Sequence, residues 1–442
     1  MPFKSLISAQ HTGEPVGIYS ICSAHPFVLE AAMLQAKADS THLLIEATSN
    51  QVNQFGGYTG MVPSQFINYV RKISDRLGFE AERIILGGDH LGPHVWQELP
   101  AEEAMRNAHD MIQAYVEAGF QKIHLDTSMS CANDSSPLDE EIVAKRAAEL
   151  CRAAEEAAAS GEFATAPVYV IGTEVPVPGG AQEALDQLEP TSTEAARKTI
   201  EVTRRAFIKR QLGREWERVI AVVVQPGVEF GDTEVVDYIP ENARGLIRLI
   251  EDYSGLVYEA HSTDYQSEEA LRALVRDHFA ILKVGPGLTF AFREAVYSLA
   301  LIEDEMSATQ STIEVSGLRS VLDTAMLEEP KHWLKHYQGS AAQQAFSRAF
   351  SYSDRSRYYW PQPKVQKALE QLLSNLGIAP LPLSLLSQFM PRQYERVRSG
   401  AIGNNPRALI LDRIMEVTGT YSRACGTQEP ARQTPKPLRR KS

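Results

Sequence analysis

The chain has 442 residues, 43% of them hydrophobic and 23% charged, with a formal net charge of −12. That length suits two ordinary domains or one large barrel with an appendage, and its apolar content builds a core without disulfides or structural metals. The acidic balance excludes a nucleic-acid footprint, because a phosphate backbone demands a basic surface. No run of 18 apolar residues is present to span a membrane, and the opening stretch MPFKSLISAQHTGEP has no signal-peptide core, so the expected location is cytoplasmic. Cys22, Cys131, Cys151 and Cys425 are scattered without a C-x-x-C pair, which fits a reducing compartment.

Eight apolar, β-branched runs follow in order, each with a polar residue near its C-terminal end. They are VGIYSICS (16–23), HLLIEAT (42–48), RIILGGD (83–89), KIHLD (122–126), VYVIGTE (168–174), VIAVVVQ (219–225), LVYEAH (256–261) and AILKV (280–284). Continuous apolar runs suit parallel strands buried on both faces. Segments with helical spacing lie between them, from PFVLEAAMLQAK after the first run to SEEALRALVRDHF before the eighth. Gly119 is placed as a helix stop, Ser136-Pro137 as a helix start, and Thr191 with Glu194 as a capping box.

Eight strand–helix alternations predict a (β/α)₈ barrel, with a doubly wound open sheet as the competitor. The count of eight and the absence of G-x-G-x-x-G before the first helix favour the barrel. Residues 1–300 are assigned to it, and 301–426 to a helical extension packed on it. The Pro-, Lys- and Arg-rich residues 427–442 are assigned to a disordered basic tail.

Catalytic groups of such barrels gather at the C-terminal strand ends. Here the ends carry Glu46, Asn50 and Gln51, then Asp89-His90, Asp126, Glu174 and Gln225, and finally Glu259, His261, Asp264 and Lys283. Ionisable groups at buried positions are costly unless they are paired, metal-bound or in contact with a polar ligand. The pattern therefore predicts a pocket for a sugar or sugar phosphate, lined by Glu46, Asn50, Gln51 and Gln225; internal ion pairing is the alternative.

Within Gly87-Gly88-Asp89-His90-Leu91-Gly92, adjacent side chains point different ways, so one can hold a metal while the other moves a proton. His90 is the candidate ligand for a divalent ion of the Zn or Mn class, and Asp89 the acid–base group, with Asp126 and Glu174 as further catalytic candidates. His261 offers a second ligand, and Glu174 or Glu46 could complete the site. His25 and His124 are weaker candidates; a mid-strand histidine such as His124 is ordinarily a core residue. Ser262, Thr263, Gly285 and Gly287 form the expected phosphate seat after strands seven and eight. Lys283 serves either that phosphate or an interior carboxylate. The run SYSDRSRYYWP (351–361) brings Arg355, Arg357, Tyr358, Tyr359 and Trp360 to the barrel mouth, to a subunit contact or to ordinary packing.

The strings IEATSNQVNQFGGYTGM (45–61), GGDHLGP (87–93), HLDTSMSC (124–131), IGTEVPVPGG (171–180), VVQPGVEF (223–230), EAHSTDYQ (259–266) and LKVGPGLTFAFREA (282–295) resemble the GatZ/KbaZ family. The likeness extends from about residue 5 to about 425. It implies a Z subunit of D-tagatose-1,6-bisphosphate aldolase, required for full activity and stability of the catalytic Y subunit and inactive as an aldolase alone. It further implies catabolism of galactitol or N-acetylgalactosamine through tagatose 6-phosphate. The alternative that the resemblance implies is a metal-dependent 4-epimerase interconverting fructose 6-phosphate and tagatose 6-phosphate. Against the more distant class II aldolases, Asp89, His90 and His261 match a catalytic Asp and two zinc ligands. The third zinc histidine is missing from QPGVEF. No G-x-x-x-x-G-K-[ST] loop supports a kinase.

Overall fold

Eight parallel strands close into a barrel in the computed structural model, which describes residues 2–160, 166–172, 188–309 and 314–426. The chain begins with α1 (Pro2–His11), then β1 (Ile18–Ile21), α2 (Pro26–Asp39), β2 (Leu43–Thr48) and α3 (Pro63–Leu77). Next come β3 (Ile84–Leu91), α4 (Ala101–Ala118), β4 (Lys122–Leu125), α5 (Glu140–Ser160), β5 (Val168–Gly172), α6 (Thr193–Lys209), α7 (Gly213–Trp216) and β6 (Val219–Val223). A small antiparallel pair, β7 (Glu229–Phe230) and β8 (Val235–Val236), is inserted before α8 (Arg244–Ile250), β9 (Val257–Ala260), α9 (Glu268–Arg276) and β10 (Phe279–Val284). Strand β10 pairs with β1, which closes the ring and excludes the open sheet.

Side chains on a strand alternate between faces. Here one set packs outward against the helices, and Leu44, Ile85, Val168, Val170, Val223, Val257 and Ile281 form a separate apolar cluster. That inner floor is completed by Phe3 and Ile7 of α1, a helix that the sequence pattern did not announce. The next inward residues along the strands are polar, and they build the site.

Local signals held to different degrees. Gly119 ends α4 in the left-handed region, with φ of 102°, where a side chain would be strained. The cap of α6 is Ser192 rather than Thr191, its side chain accepting from Ala195 N. Ser136-Pro137 is a cis peptide ahead of α5, not its first turn.

After β10, the long helix α10 (Pro286–Thr309) runs on past residue 300 without a break. It is followed by α11 (Leu318–Glu328), α12 (Ala341–Phe350), α13 (Pro363–Leu376), α14 (Leu383–Phe389), α15 (Pro391–Arg398) and α16 (Pro406–Ala424). Helix α16 packs against α2, α9 and α10. Its Tyr421 hydroxyl donates to the Thr263 carbonyl at 2.6 Å, while Gly17 N donates to Cys425 O at 3.0 Å. The segment 427–442 lies outside the described residues. No described helix is long and apolar enough to cross a membrane.

Candidate metal centre at the barrel mouth

Two glycines of the Gly87–Gly92 string are there to make space. A Cβ on Gly87 would stand 2.6 Å from Glu46 Oε1, and one on Gly92 would overlap the Asp126 carbonyl oxygen at 1.6 Å. The string therefore admits a glutamate to the barrel interior and lets the loop beyond β3 lie against the end of β4.

Glu46 belongs to a layer of ion pairs. Lys122 Nζ lies 2.6 Å from Glu46 Oε1 and 2.7 Å from Glu259 Oε2. Ser20 donates to Glu46 Oε2 at 2.6 Å, and Lys283 pairs with the same oxygen. Glu46, Lys122 and Glu259 are fully buried. Glu46 was expected to touch substrate; its partners place it below the cavity instead, as a counter-charge to two lysines.

Toward the mouth the layer changes character. Asp89, His90, His124 and His261 each offer a ligand atom within 4.8 Å of the others. An outer partner orients each imidazole: Asp126 Oδ2 lies 2.7 Å from His90 Nδ1, Glu259 Oε1 lies 3.0 Å from His261 Nε2, and the Gly172 carbonyl lies 2.8 Å from His124 Nε2. Carboxylate and carbonyl partners of this kind fix the tautomer and aim of metal-binding histidines. His90 sits at φ 50° and Ser262 at φ 51°, a backbone region that non-glycine residues seldom occupy and that clusters at functional sites.

Two features of these residues fit a cation. With His124 Nε2–H donating to Gly172 O, its Nδ1 carries one lone pair, which faces both the His90 N–H at 3.2 Å and the cluster. The Asp89 Oδ1 atom also lies 3.1 Å from that nitrogen, and two acceptors so close call for a proton or a cation between them. The charge count agrees. Four buried carboxylates (Glu46, Asp89, Asp126, Glu259) face two buried ammonium groups (Lys122, Lys283), and the two remaining negative charges call for a protonated imidazole or a bound cation; despite burial, Asp89 and Asp126 hold His90 above its usual range. Three imidazoles suit Zn²⁺ and similar ions, with the Asp89 carboxylate beside them for proton transfer.

The electrostatics keep the carboxylates ionised. Burial opposes charge on Asp89, but Lys283, His90 and His124 outweigh it and hold the carboxyl well below its usual range. Burial also works against Asp126, and the His90 and Ser128 hydrogen bonds pull it below the usual range. Lys283 is held above its usual range by Asp89, Cys22, Glu46 and Glu259 despite burial. Burial lowers His261 to about 4.

The cavity over this cluster is lined by Asn50, Gln51, Asp89, His90, Asp126, His261, Ser262, Lys283 and Gly285, all expected from the sequence. Several other expected residues lie elsewhere. Gln225 Oε1 caps the turn after β6, accepting from Gly227 N at 2.8 Å and Val228 N at 2.9 Å. Thr263 donates to the Lys283 carbonyl at 2.6 Å and meets Tyr421 at 3.0 Å, facing α16 rather than the cavity. The phosphate seat is filled: Gly285 N and Gly287 N both donate to Asp264 Oδ1, at 2.9 and 2.7 Å. Glu174 lies outside the described residues.

His124, a weaker candidate from the sequence, is brought into the cluster by the structure. The signal was present, because Lys122 and His124 of β4 and Asp126 just beyond it alternate along the chain and so share one face. Tyr58, His94, Asp264, Arg357 and Tyr358 also line the cavity. Of the placements open to the 351–361 run, the structure selects the barrel mouth for Arg357 and Tyr358. Buried Arg293 braces this segment from α10, its Nε 3.3 Å from Asp354 Oδ1, while Thr289 donates to Asp354 Oδ2 at 2.5 Å.

Residues 3–426 match the model of a family described as D-tagatose-1,6-bisphosphate aldolase subunit GatZ/KbaZ-like. The chain belongs to this GatZ/KbaZ-like family. A crystal structure described as a probable tagatose 6 phosphate kinase from Sinorhizobium meliloti 1021 is 48% identical, with a TM-score of 0.85 over 92% of this chain and 100% of that one. A fructuronate-tagaturonate epimerase, UxaE from Cohnella laeviribosi, is 13% identical, with a TM-score of 0.48 over 94% of this chain and 82% of that one. The YdjI aldolase from Escherichia coli K12 is 11% identical, with a TM-score of 0.40 over 82% and 92%. The last two likenesses are too slight to carry a substrate or a mechanism across. The GatZ/KbaZ-like chain is thus a tagatose-bisphosphate aldolase-related barrel.

Proposed function

We propose that this GatZ/KbaZ-like chain is an enzyme in its own right, a divalent-metal-dependent 4-epimerase of ketohexose 6-phosphates that interconverts fructose 6-phosphate and tagatose 6-phosphate. The observation that carries this reading is the convergence of Asp89, His90, His124 and His261 within 4.8 Å under one cavity, each imidazole aimed by an outer partner. A scaffold has no physical use for such a cluster, because burying it costs stability.

His90, His124 and His261, with Asp89 nearby, would hold the ion, which when bound polarises the substrate's C2 carbonyl as a Lewis acid. Asp89, kept ionised by Lys283 2.9 Å away, accepts the proton from the C4 hydroxyl. The C3–C4 bond then breaks, its electron pair moves toward C2, and C4 becomes an aldehyde. Rotation of that aldehyde and re-formation of the bond invert C4, and Asp89 returns the proton. Arg357 and Tyr358 over the mouth keep both fragments in place and exclude water.

The test is conversion of fructose 6-phosphate by purified, metal-supplemented protein, followed by ¹³C NMR. Tagatose 6-phosphate should accumulate to equilibrium. No conversion with Zn, Mn, Co or Ni would remove the reading.

A second reading, an accessory subunit that stabilises a catalytic aldolase chain, is favoured by the family description as a subunit. It has a candidate surface in the exposed side chains Leu327, Leu334, Phe346 and Phe350. Co-expression with a catalytic class II aldolase chain should then raise and prolong aldolase activity; unchanged activity and lifetime would count against it.

A further inference from the structure

The seat in which a (β/α)₈ barrel ordinarily holds phosphate is occupied here by the protein itself. The Asp264 carboxylate takes the amides of Gly285 and Gly287 as a phosphate oxygen would. Burial raises that carboxyl to about 6, so near neutral pH it presents mostly negative charge to the cavity. A substrate phosphate directed to this seat would meet a carboxylate and no vacant amide.

The cavity wall contributed by the extension has the opposite character. The Arg357 guanidinium lines the cavity without a direct ion pair among the described residues, and it acts on Asp264 only at longer range. Its donors go instead to neutral acceptors: the Ser353 carbonyl, the Asp354 carbonyl at 3.1 Å and the Tyr358 hydroxyl at 3.0 Å. Tyr58 adds a second phenol, its ring 4.8 Å from that of Tyr358, and it lines the same cavity. The segment is anchored by hydrogen bonds. Asp232 takes Ser351 at 2.8 Å and Ser347 at 3.1 Å, while Ser356 donates to Asp354 at 2.7 Å. A half-buried guanidinium whose donors meet only neutral acceptors still has charge to offer an anion that enters the cavity.

We infer that Arg357, with Tyr58 and Tyr358, binds the terminal phosphate of the ketose phosphate, and that Asp264 closes the ordinary barrel phosphate seat to it. This rests on the ketose-phosphate reading above and gives the helical extension a direct part in substrate choice. The phosphate is then read at the wall opposite in kind to the metal cluster, which leaves the carbonyl end of the sugar for His90, His124 and His261.

The experiment is calorimetric titration of the metal-loaded full chain with fructose 6-phosphate, fructose and inorganic phosphate. It needs no turnover, so it stands or falls separately from epimerase activity. Fructose 6-phosphate should bind tighter than fructose. Arg357→Met should weaken it by about tenfold to a hundredfold while leaving fructose unchanged, as expected for loss of a charge-assisted contact. Arg357→Lys should recover part of the loss, since a lysine keeps the charge without the planar fork. Asp264→Ala should keep the preference for the phosphorylated sugar. Should Arg357→Met fail to fold, Arg357→Lys decides: about a tenfold weakening supports the inference and full affinity overturns it. It is also overturned if Arg357→Met binds fructose 6-phosphate as well as the parent, if both sugars weaken equally, or if only Asp264→Ala abolishes the preference.

Discussion

The lysine–glutamate layer and the histidine layer beyond it are buried in the same barrel, yet in the first the charges meet their opposites. Lys122 satisfies two glutamates, and Lys283 ties the layers together through Glu46 and Asp89. In the second layer, three imidazoles and a carboxylate converge on a common point, each with its back to an orienting partner. Equal burial thus serves two ends. A charge that faces its opposite holds strands together, whereas donors that face one another are arranged for something that comes from outside.

Exchanging one residue in each layer separates these roles. Asp89→Asn should cut epimerisation about a thousandfold, the range for losing a positioned proton acceptor, with little change in the melting temperature. A variant that turns over normally would remove Asp89 from the chemistry. Lys122→Met removes the counter-charge shared by two buried glutamates and should lower unfolding free energy by about 3–5 kcal/mol in urea titration. If it proves neutral, the ion-paired layer is not structural.

Smaller effects test the outer partners. Asp126→Asn leaves His90 a weaker orienting acceptor and should lower metal affinity about 10–100-fold in competition with a chromophoric chelator. An unchanged affinity would mean that His90 does not need that support. The smallest effect concerns Glu229, beside β8 and outside both layers, whose carboxyl burial raises to about 7. The folded state then holds its proton more tightly than the unfolded chain does. The stabilisation is therefore complete below about pH 4.5 and is lost as pH rises through about 7. Glu229→Gln should flatten this part of the stability profile by on the order of 1–2 kcal/mol, read from melting at pH 5 and pH 7.5. Parallel profiles would show that Glu229 does not carry the pH dependence.

The barrel was legible because parallel strands buried on both faces leave long apolar runs, and eight of them leave little choice of closure. Asp89, His90 and His261 were legible as polar strand ends. His124 was a weaker candidate because a lone mid-strand histidine reads as core; period-two alignment with Lys122 and Asp126 exposes it. The filled phosphate seat had no local signature, since Asp264 reaches Gly285 and Gly287 across more than twenty residues. The place of Arg357 depends on an extension that folds back over the mouth, braced by Arg293 and Asp354, and no periodicity encodes such a return. Likewise, α1 enters the barrel floor through Phe3, Ile7 and the partly buried Leu6, too short a pattern to stand out.

The most direct test is the metal content of the purified chain, measured by mass spectrometry before and after dialysis against a chelator, beside His90→Ala and His261→Ala. About one equivalent of a divalent ion in the parent, removable and absent from both variants, is the predicted result. A parent chain that takes up no Zn, Mn, Co or Ni, or variants that bind as well as the parent, would contradict it.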